Sequence, residues 1–148
     1  MMAIKKSVFV KVPVDVAYAT WANHSTFTAF TNHVKRVDRI TQKRMRWVIE
    51  VLGYQLEFEA EVDQLKPNKL ISWHSVTNVK HFGSVYFDQG NGGTTVTLRL
   101  LFDTENLADA LIEDLDLSRG EFEGALEEAL AGYKAYCEQM WRAIPSVI

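Results

Sequence analysis

The chain has 148 residues, 47% hydrophobic and 24% charged, with a formal net charge of −3. These are ordinary globular values and argue against disorder, and no apolar run approaches the ~20 residues of a bilayer-spanning helix. The single cysteine, Cys137, rules out an internal disulfide and a multi-cysteine metal site.

The length predicts one domain over 1–148 with a substantial core. The opening Met1-Met2-Ala3-Ile4-Lys5-Lys6 lacks the apolar block of a signal peptide, so a cytoplasmic location is expected. Ile4–Val12 alternates, with Val8, Val10 and Val12 on one face, and reads as a strand. Pro13 suits the first turn of a short helix, Val14–Trp21, and Asp15 favours its N-terminal end. Ser25 is placed to cap a second short helix, Thr26–Thr31, carrying Phe27 and Phe30.

From Val34 the period changes to two. Strands are predicted at Val34–Ile40, Arg44–Leu52, Tyr54–Leu65, Leu70–Val76, His81–Asp88 and Thr94–Phe102. The breaks are short and most carry turn residues, so successive strands should be antiparallel neighbours. Gly90-Asn91-Gly92-Gly93 reads as one such hairpin turn. After Phe102, Leu107, Leu111 and Leu115 suggest a short helix over Asn106–Leu115. Ser118-Arg119-Gly120-Glu121 has capping-box spacing and opens a helix to about Arg142, on the order of 36 Å long, with Pro145 beyond it. Its apolar stripe is Phe122, Leu126, Ala129/Leu130, Tyr133, Cys137 and Met140/Trp141. A long sheet and one amphipathic helix bury their apolar faces most simply if the sheet curls around the helix.

Charge is unevenly placed. Residues 1–53 hold nine Lys/Arg against three Asp/Glu, or +6; residues 54–148 hold seven against sixteen, or −9. The basic stretch Lys35-Arg36 … Arg39 … Lys43-Arg44 … Arg46 resembles a nucleic-acid surface. A two-residue turn at Leu52-Gly53, however, sets Arg44 opposite Glu61 and Arg46 opposite Glu59. The same register sends Met45, Trp47, Ile49 and Val51 to one face with Tyr54, Leu56, Phe58, Ala60 and Val62. The charges are therefore read as cross-strand pairs, and no nucleic-acid partner is expected.

The order of elements resembles the START-like, helix-grip superfamily, in particular its polyketide cyclase/dehydrase and lipid transport branch. The resemblance spans nearly the whole chain. It is carried by Val10-Lys-Val-Pro13-Val-Asp-Val-Ala-Tyr18 … Trp21, by Phe27-Thr-Ala-Phe30 … His33-Val34-Lys-Arg-Val37, and by Ile71-Ser-Trp73, Gly83-Ser-Val85-Tyr-Phe87 and Gly93-Thr-Thr-Val96-Thr-Leu98. The fold class it implies is α+β: a curved seven-stranded antiparallel sheet around a long C-terminal helix, with two short helices between strands 1 and 2. It also implies a cavity between sheet and helix, with its entrance near the second short helix.

The expected ligand-binding residues are Phe30 and His33 at that entrance, and Trp47, Tyr54 and Phe58 on strands 3 and 4. Trp73, Ser75, His81, Val85, Phe87 and Leu98 follow on strands 5 to 7, with Phe122, Leu126 and Tyr133 on the helix. Among these, Tyr54, Ser75 and His81 are polar and inward by parity. Ser75 and His81 flank one turn and should face each other. Tyr54 and His81 are the catalytic candidates, since His titrates near neutral pH; the alternative is that such groups only satisfy one another. His33 is either a gate or a surface histidine. His24 and His74 read as exposed.

The histidines lack metal spacing and show no carboxylate partner on a shared face, so no metal is expected. Glu57, Glu59, Glu61 and Asp63 alternate onto the solvated face and are not read as an acid–base pair. Cys137 reads as a small core residue. Tyr133 and Trp141 are placed to pack or to line the pocket. No nucleophile motif, phosphate loop or dinucleotide fingerprint appears, and no cofactor is expected.

Three functions compete. One is a binder of a lipid-like, quinone-like or aromatic molecule. Another is a cyclase or dehydratase acting on a poly-β-keto chain. Against it, aromatase/cyclases of this fold carry an inward arginine near the start of strand 4, where this chain has Tyr54, with Gln55 beside it facing out. They often place a tyrosine after the second short helix, where this chain has Val34. The third is a protein-interaction module. Monomer and homodimer are both open.

Overall fold

A computed structural model describes residues 2–51, 53–77, 80–102 and 119–143. Strand β1 (Met2–Val10) leads into helix α1 (Val14–Ala22), a 3-10 turn (His24–Thr26) and helix α2 (Phe27–Phe30). Then come β2 (Val34–Arg39), β3 (Arg44–Val51), β4 (Tyr54–Lys66), β5 (Leu70–Ser75), β6 (His81–Gly90) and β7 (Gly93–Phe102). Helix α3 (Arg119–Ala143) follows. The predicted helix over 106–115, the Ser118 capping residue and Pro145 lie outside the described residues.

The seven strands form one curved antiparallel sheet in the order β1-β7-β6-β5-β4-β3-β2. Every connection inside β2–β7 is a hairpin, as short turn-rich breaks demand. The turn at Asn91-Gly92 needs left-handed backbone at both residues, φ 56° and 79°, and Asn-Gly is the pair that adopts it at least cost. Gly53 sits at φ 85° in the β3–β4 turn for the same reason. That turn sets Trp47 opposite Phe58, Arg44 opposite Glu61 and Arg46 opposite Glu59, the register the alternation predicts.

Two local expectations change. The second short helix starts later and is preceded by the 3-10 turn. The cap of that 3-10 turn is Asn23, whose Oδ1 accepts from Ser25 N at 3.3 Å and from Ser25 Oγ at 2.7 Å. Ser25 thus donates to a cap instead of being one; Asn reaches its own backbone two residues on as readily as Ser does. The helix stripe also outruns the sheet. Met140 and Trp141 are exposed, and Trp141 does not line the cavity described below.

The tightest core lies where α3 crosses β1 and α1. Val10, Val85, Val96, Tyr133 and Cys137 are fully buried there. Tyr133 donates its hydroxyl to the Ala17 carbonyl at 2.6 Å, which gives a buried phenol its required partner and ties α3 to α1. Burial pushes the Tyr133 phenol and the Cys137 thiol up from their ordinary ranges, so Cys137 is a small core residue. Gly132 lets α2 approach α3 closely, because a Cβ there would overlap the Phe30 carbonyl.

Candidate functional site

Away from that core, the concave face and α3 separate. A cavity of about 300 Å³ lies between them, lined by β2–β7, the α1–α2 region and α3. The wall is overwhelmingly apolar. Trp47 and Phe58 meet as a direct cross-strand pair, and Phe27 from α2 packs edge-on to Trp47, with ring centroids 5.0 Å apart. Phe102 and Phe122 contact edge-on across sheet and helix at 5.5 Å. The helix contributes Ala125, Leu126, Ala129 and Leu130. Its alanines stand where larger residues would fill the space, so the hollow follows from side-chain volume.

Of the predicted contacts, Phe30, His33, Trp47, Phe58, Trp73, His81, Leu98, Phe122 and Leu126 are brought together in this lining. Val85, Phe87 and Tyr133 are not. Val85 and Phe87 point to the concave side of the sheet and Tyr133 comes from α3, but all three belong to the packed core: Val85 is fully buried, Phe87 packs edge-on to Tyr18, and Tyr133 is taken up by α1. Strand parity gives the face and cannot tell packed from hollow. Ser75 does not line the cavity either. Its Oγ accepts from the His81 backbone N–H at 2.9 Å, so the expected Ser75–His81 encounter is a local strand-end bond. Tyr54 pairs with Val51 through the backbone, and its side chain lies outside what the structure describes.

His81 is 7% exposed at the heart of the wall. Its Nε2 lies 3.2 Å from Trp73 Nε1. An indole N–H can only donate, so His81 Nε2 accepts and a neutral ring carries its proton on Nδ1. Phe58 and Phe102 pack on the same ring. Trp73 lies over Gly83, where any Cβ would overlap the indole. The glycine is therefore what lets Trp73 reach His81.

His33 links three elements. Nδ1 lies 3.0 Å from the Glu50 carbonyl on β3 and Nε2 2.9 Å from the Glu128 carboxylate on α3. Both partners are acceptors, so a ring nitrogen bonds its partner only when it carries the proton. His74 Nδ1 meets Asp63 at 2.8 Å on the convex face. The expectation that no histidine has a carboxylate partner on a shared face is thus overturned at His74, and His33 meets a carboxylate across elements. The cause is placement that sequence spacing does not encode: α3 arrives beside α2, and β4 carries a register shift between Val62 and Gln64 that draws Asp63 toward His74. His24, expected to be exposed, is half-buried and lines the cavity. Burial, then the Arg39 charge, lower its pKa, which favours the neutral ring. No group of three His, Cys, Asp or Glu able to hold a metal occurs among the described residues.

Sequence reasoning missed Trp21, His24, Thr31, Arg39, Gln42 and Leu65 in the lining. Leu65 is instructive. Even positions face inward up to Val62, and the register shift then turns the odd Leu65, paired with Ile71, to the same side. The signal available was its apolar character at an otherwise outward parity.

A curved antiparallel sheet gripping a C-terminal helix, with two short helices after the first strand and an apolar cavity beneath, defines a START-like helix-grip protein. A model of the polyketide cyclase / dehydrase and lipid transport family matches residues 10–121, and the chain belongs to that family. It is 28% identical over 141 residues to an uncharacterized 17.2 kDa protein of Streptomyces lincolnensis, covering 94% of this chain and 91% of that one. A START superfamily protein from Mycobacterium smegmatis superposes with a TM-score of 0.75 at 13% identity, over 93% of this chain and 98% of that one. The di-domain ARO/CYC protein BexL from the BE-7585A biosynthetic pathway superposes with a TM-score of 0.69 at 17% identity. The match to BexL covers 97% of this chain and 51% of BexL. At these identities the two structures share the fold. No described helix is long and apolar enough to cross a membrane.

Proposed function

We propose that this chain binds a hydrophobic small molecule, lipid-, quinone- or polyketide-like, in the cavity between sheet and α3. The observation that carries the reading is the wall: aromatic rings from α2 and the sheet facing alanines on α3 around a space of about 300 Å³. That is the lower end of the ~300–1,000 Å³ typical of small-molecule sites, which are mostly apolar with few polar groups. The contacts fall to Phe30, His33, Trp47, Phe58, Trp73, His81, Leu98, Phe122 and Leu126. Cyclase chemistry is the weaker reading. It needs one group to polarise a carbonyl and another to move a proton, and the Nε2 of His81 is engaged by Trp73.

The test is titration with a hydrophobic fluorophore, together with mass spectrometry of material extracted from the purified protein. Saturable binding that is lost in Ala129→Phe, a variant that fills the cavity from the helix side, is the expected result. A fluorophore bound equally well by Ala129→Phe, or not bound by either protein, overturns the reading.

A further inference from the structure

Six basic residues fall between positions 35 and 46. Four are ion-paired: Lys35 with Glu50 at 3.3 Å, Arg36 with Asp38 at 2.7 Å, Arg44 with Glu61 at 3.1 Å, and Arg46 with Glu57 and Glu59, both at 3.6 Å. Lys43 and Arg39 have no ion pair with a described residue. Of the six, only Arg39 lines the cavity.

Alternation along β2 explains the difference. Arg36 and Asp38 share the convex face, whereas Arg39 has the parity of Val37, which pairs with the inward Trp47. Its own partner is Met45, also in the lining. The acids of the neighbouring strands, Glu57, Glu59 and Glu61, are held by Arg44 and Arg46 on the other side of the sheet. Beside Arg39 stand Gln42, which lines the same end, and His24, close enough for the arginine charge to act on it. This end therefore presents a permanent cation and hydrogen-bond donors, while the polar groups elsewhere in the wall, at Thr31, His33 and His81, carry no permanent charge. Arg39 is exposed at this rim, where its guanidinium is open to a ligand and suits a carboxylate through paired donors.

Building on the cavity reading above, we infer that the ligand is an amphipathic acid, its apolar body in the cavity and its acidic end at Arg39, with Gln42 and His24 beside it. The small volume fits a single chain or a compact ring system. Free acids and acidic lipid headgroups share this chemistry, and the volume favours the former.

Dodecanoate and dodecanol, which differ in the polar end alone, separate the possibilities. Trp21, Trp47 and Trp73 line the cavity, so intrinsic fluorescence reports entry. Dodecanoate is expected to bind about tenfold tighter than dodecanol, the scale of a charge-assisted contact. Arg39→Gln should abolish that preference and leave dodecanol binding in place. Arg39→Lys should keep part of it, and Arg36→Gln, a matched charge loss on the convex face, should keep all of it. Equal binding of acid and alcohol by the unaltered protein, or an unchanged preference in Arg39→Gln, overturns the inference and leaves the cavity reading standing. Failure of both probes to bind overturns the two together.

Discussion

The two halves of the sheet treat the same alternating pattern differently. Around β1 and the adjoining parts of β7 and β6, inward residues such as Val10, Val85 and Val96 are fully buried, while His81, Leu98, Leu100 and Phe102 on those last two strands reach the cavity. On the β5–β4–β3–β2 side, Trp47, Phe58 and Trp73 are half-buried and border empty space. Both sides are apolar. What differs is the surface opposite them. Tyr133 and Cys137 fill the gap in one half, while Ala125 and Ala129 leave it open in the other. A binding cavity here is a local deficit of volume within one continuous apolar layer, and the packed half supplies the rigidity that keeps it open.

The sharpest way to break this comparison is to truncate one large ring in each half. Tyr133→Ala removes a fully buried ring and its bond to Ala17, and should cost about 3–5 kcal/mol in chemical denaturation. Phe58→Ala takes away a ring that already borders a void, and should cost roughly 1–2 kcal/mol because less contact is lost. It should also enlarge the space and shift fluorophore affinity. Equal costs would show that the halves are packed alike.

A smaller effect concerns the seam between the packed half and α3. Glu138 accepts from Lys134 Nζ at 2.7 Å and from the Lys11 backbone N–H at 2.9 Å. The Lys134 bond, with the Lys11 contact adding to it, lowers the carboxyl pKa below its ordinary range. A group with a depressed folded-state pKa contributes above its unfolded pKa, and the contribution disappears as pH falls through the folded value. Stability should therefore drop on acidification through and below the ordinary carboxylate range. Glu138→Gln should flatten that part of the denaturation-versus-pH curve, by up to about 1 kcal/mol for a pair this near the surface. The smallest effect is expected outside both halves. Arg44→Ala on the convex face should change stability by no more than about 0.5 kcal/mol, because the pair with Glu61 is solvent-exposed.

Strand order, the β3–β4 register and the long helix were legible in the sequence because each rests on local chemistry: alternation, turn glycines and a continuous apolar stripe. Packed and hollow positions were not separable. Val85 and Leu98 have the same inward parity, yet only Leu98 reaches the cavity, because the elements opposite them come from distant parts of the chain. The polar end was missed for a related reason. Arg39 looked like one more member of a basic run, and only its neighbours' ion pairs set it apart. His24 and Leu65 were missed because a 3-10 turn and a register shift altered their direction.

That register shift in β4 acts as a reading-frame change within a single strand. Ahead of it, even positions look inward; behind it, odd ones do. Were every residue kept and the shift at Asp63 straightened out, the even frame would run on, turning Leu65 to solvent and presenting Gln64 and Lys66 to the interior, whereas excising Asp63 would leave Leu65 inward. The apolar lip of the pocket thus depends on that shift as much as on the identity of its residues.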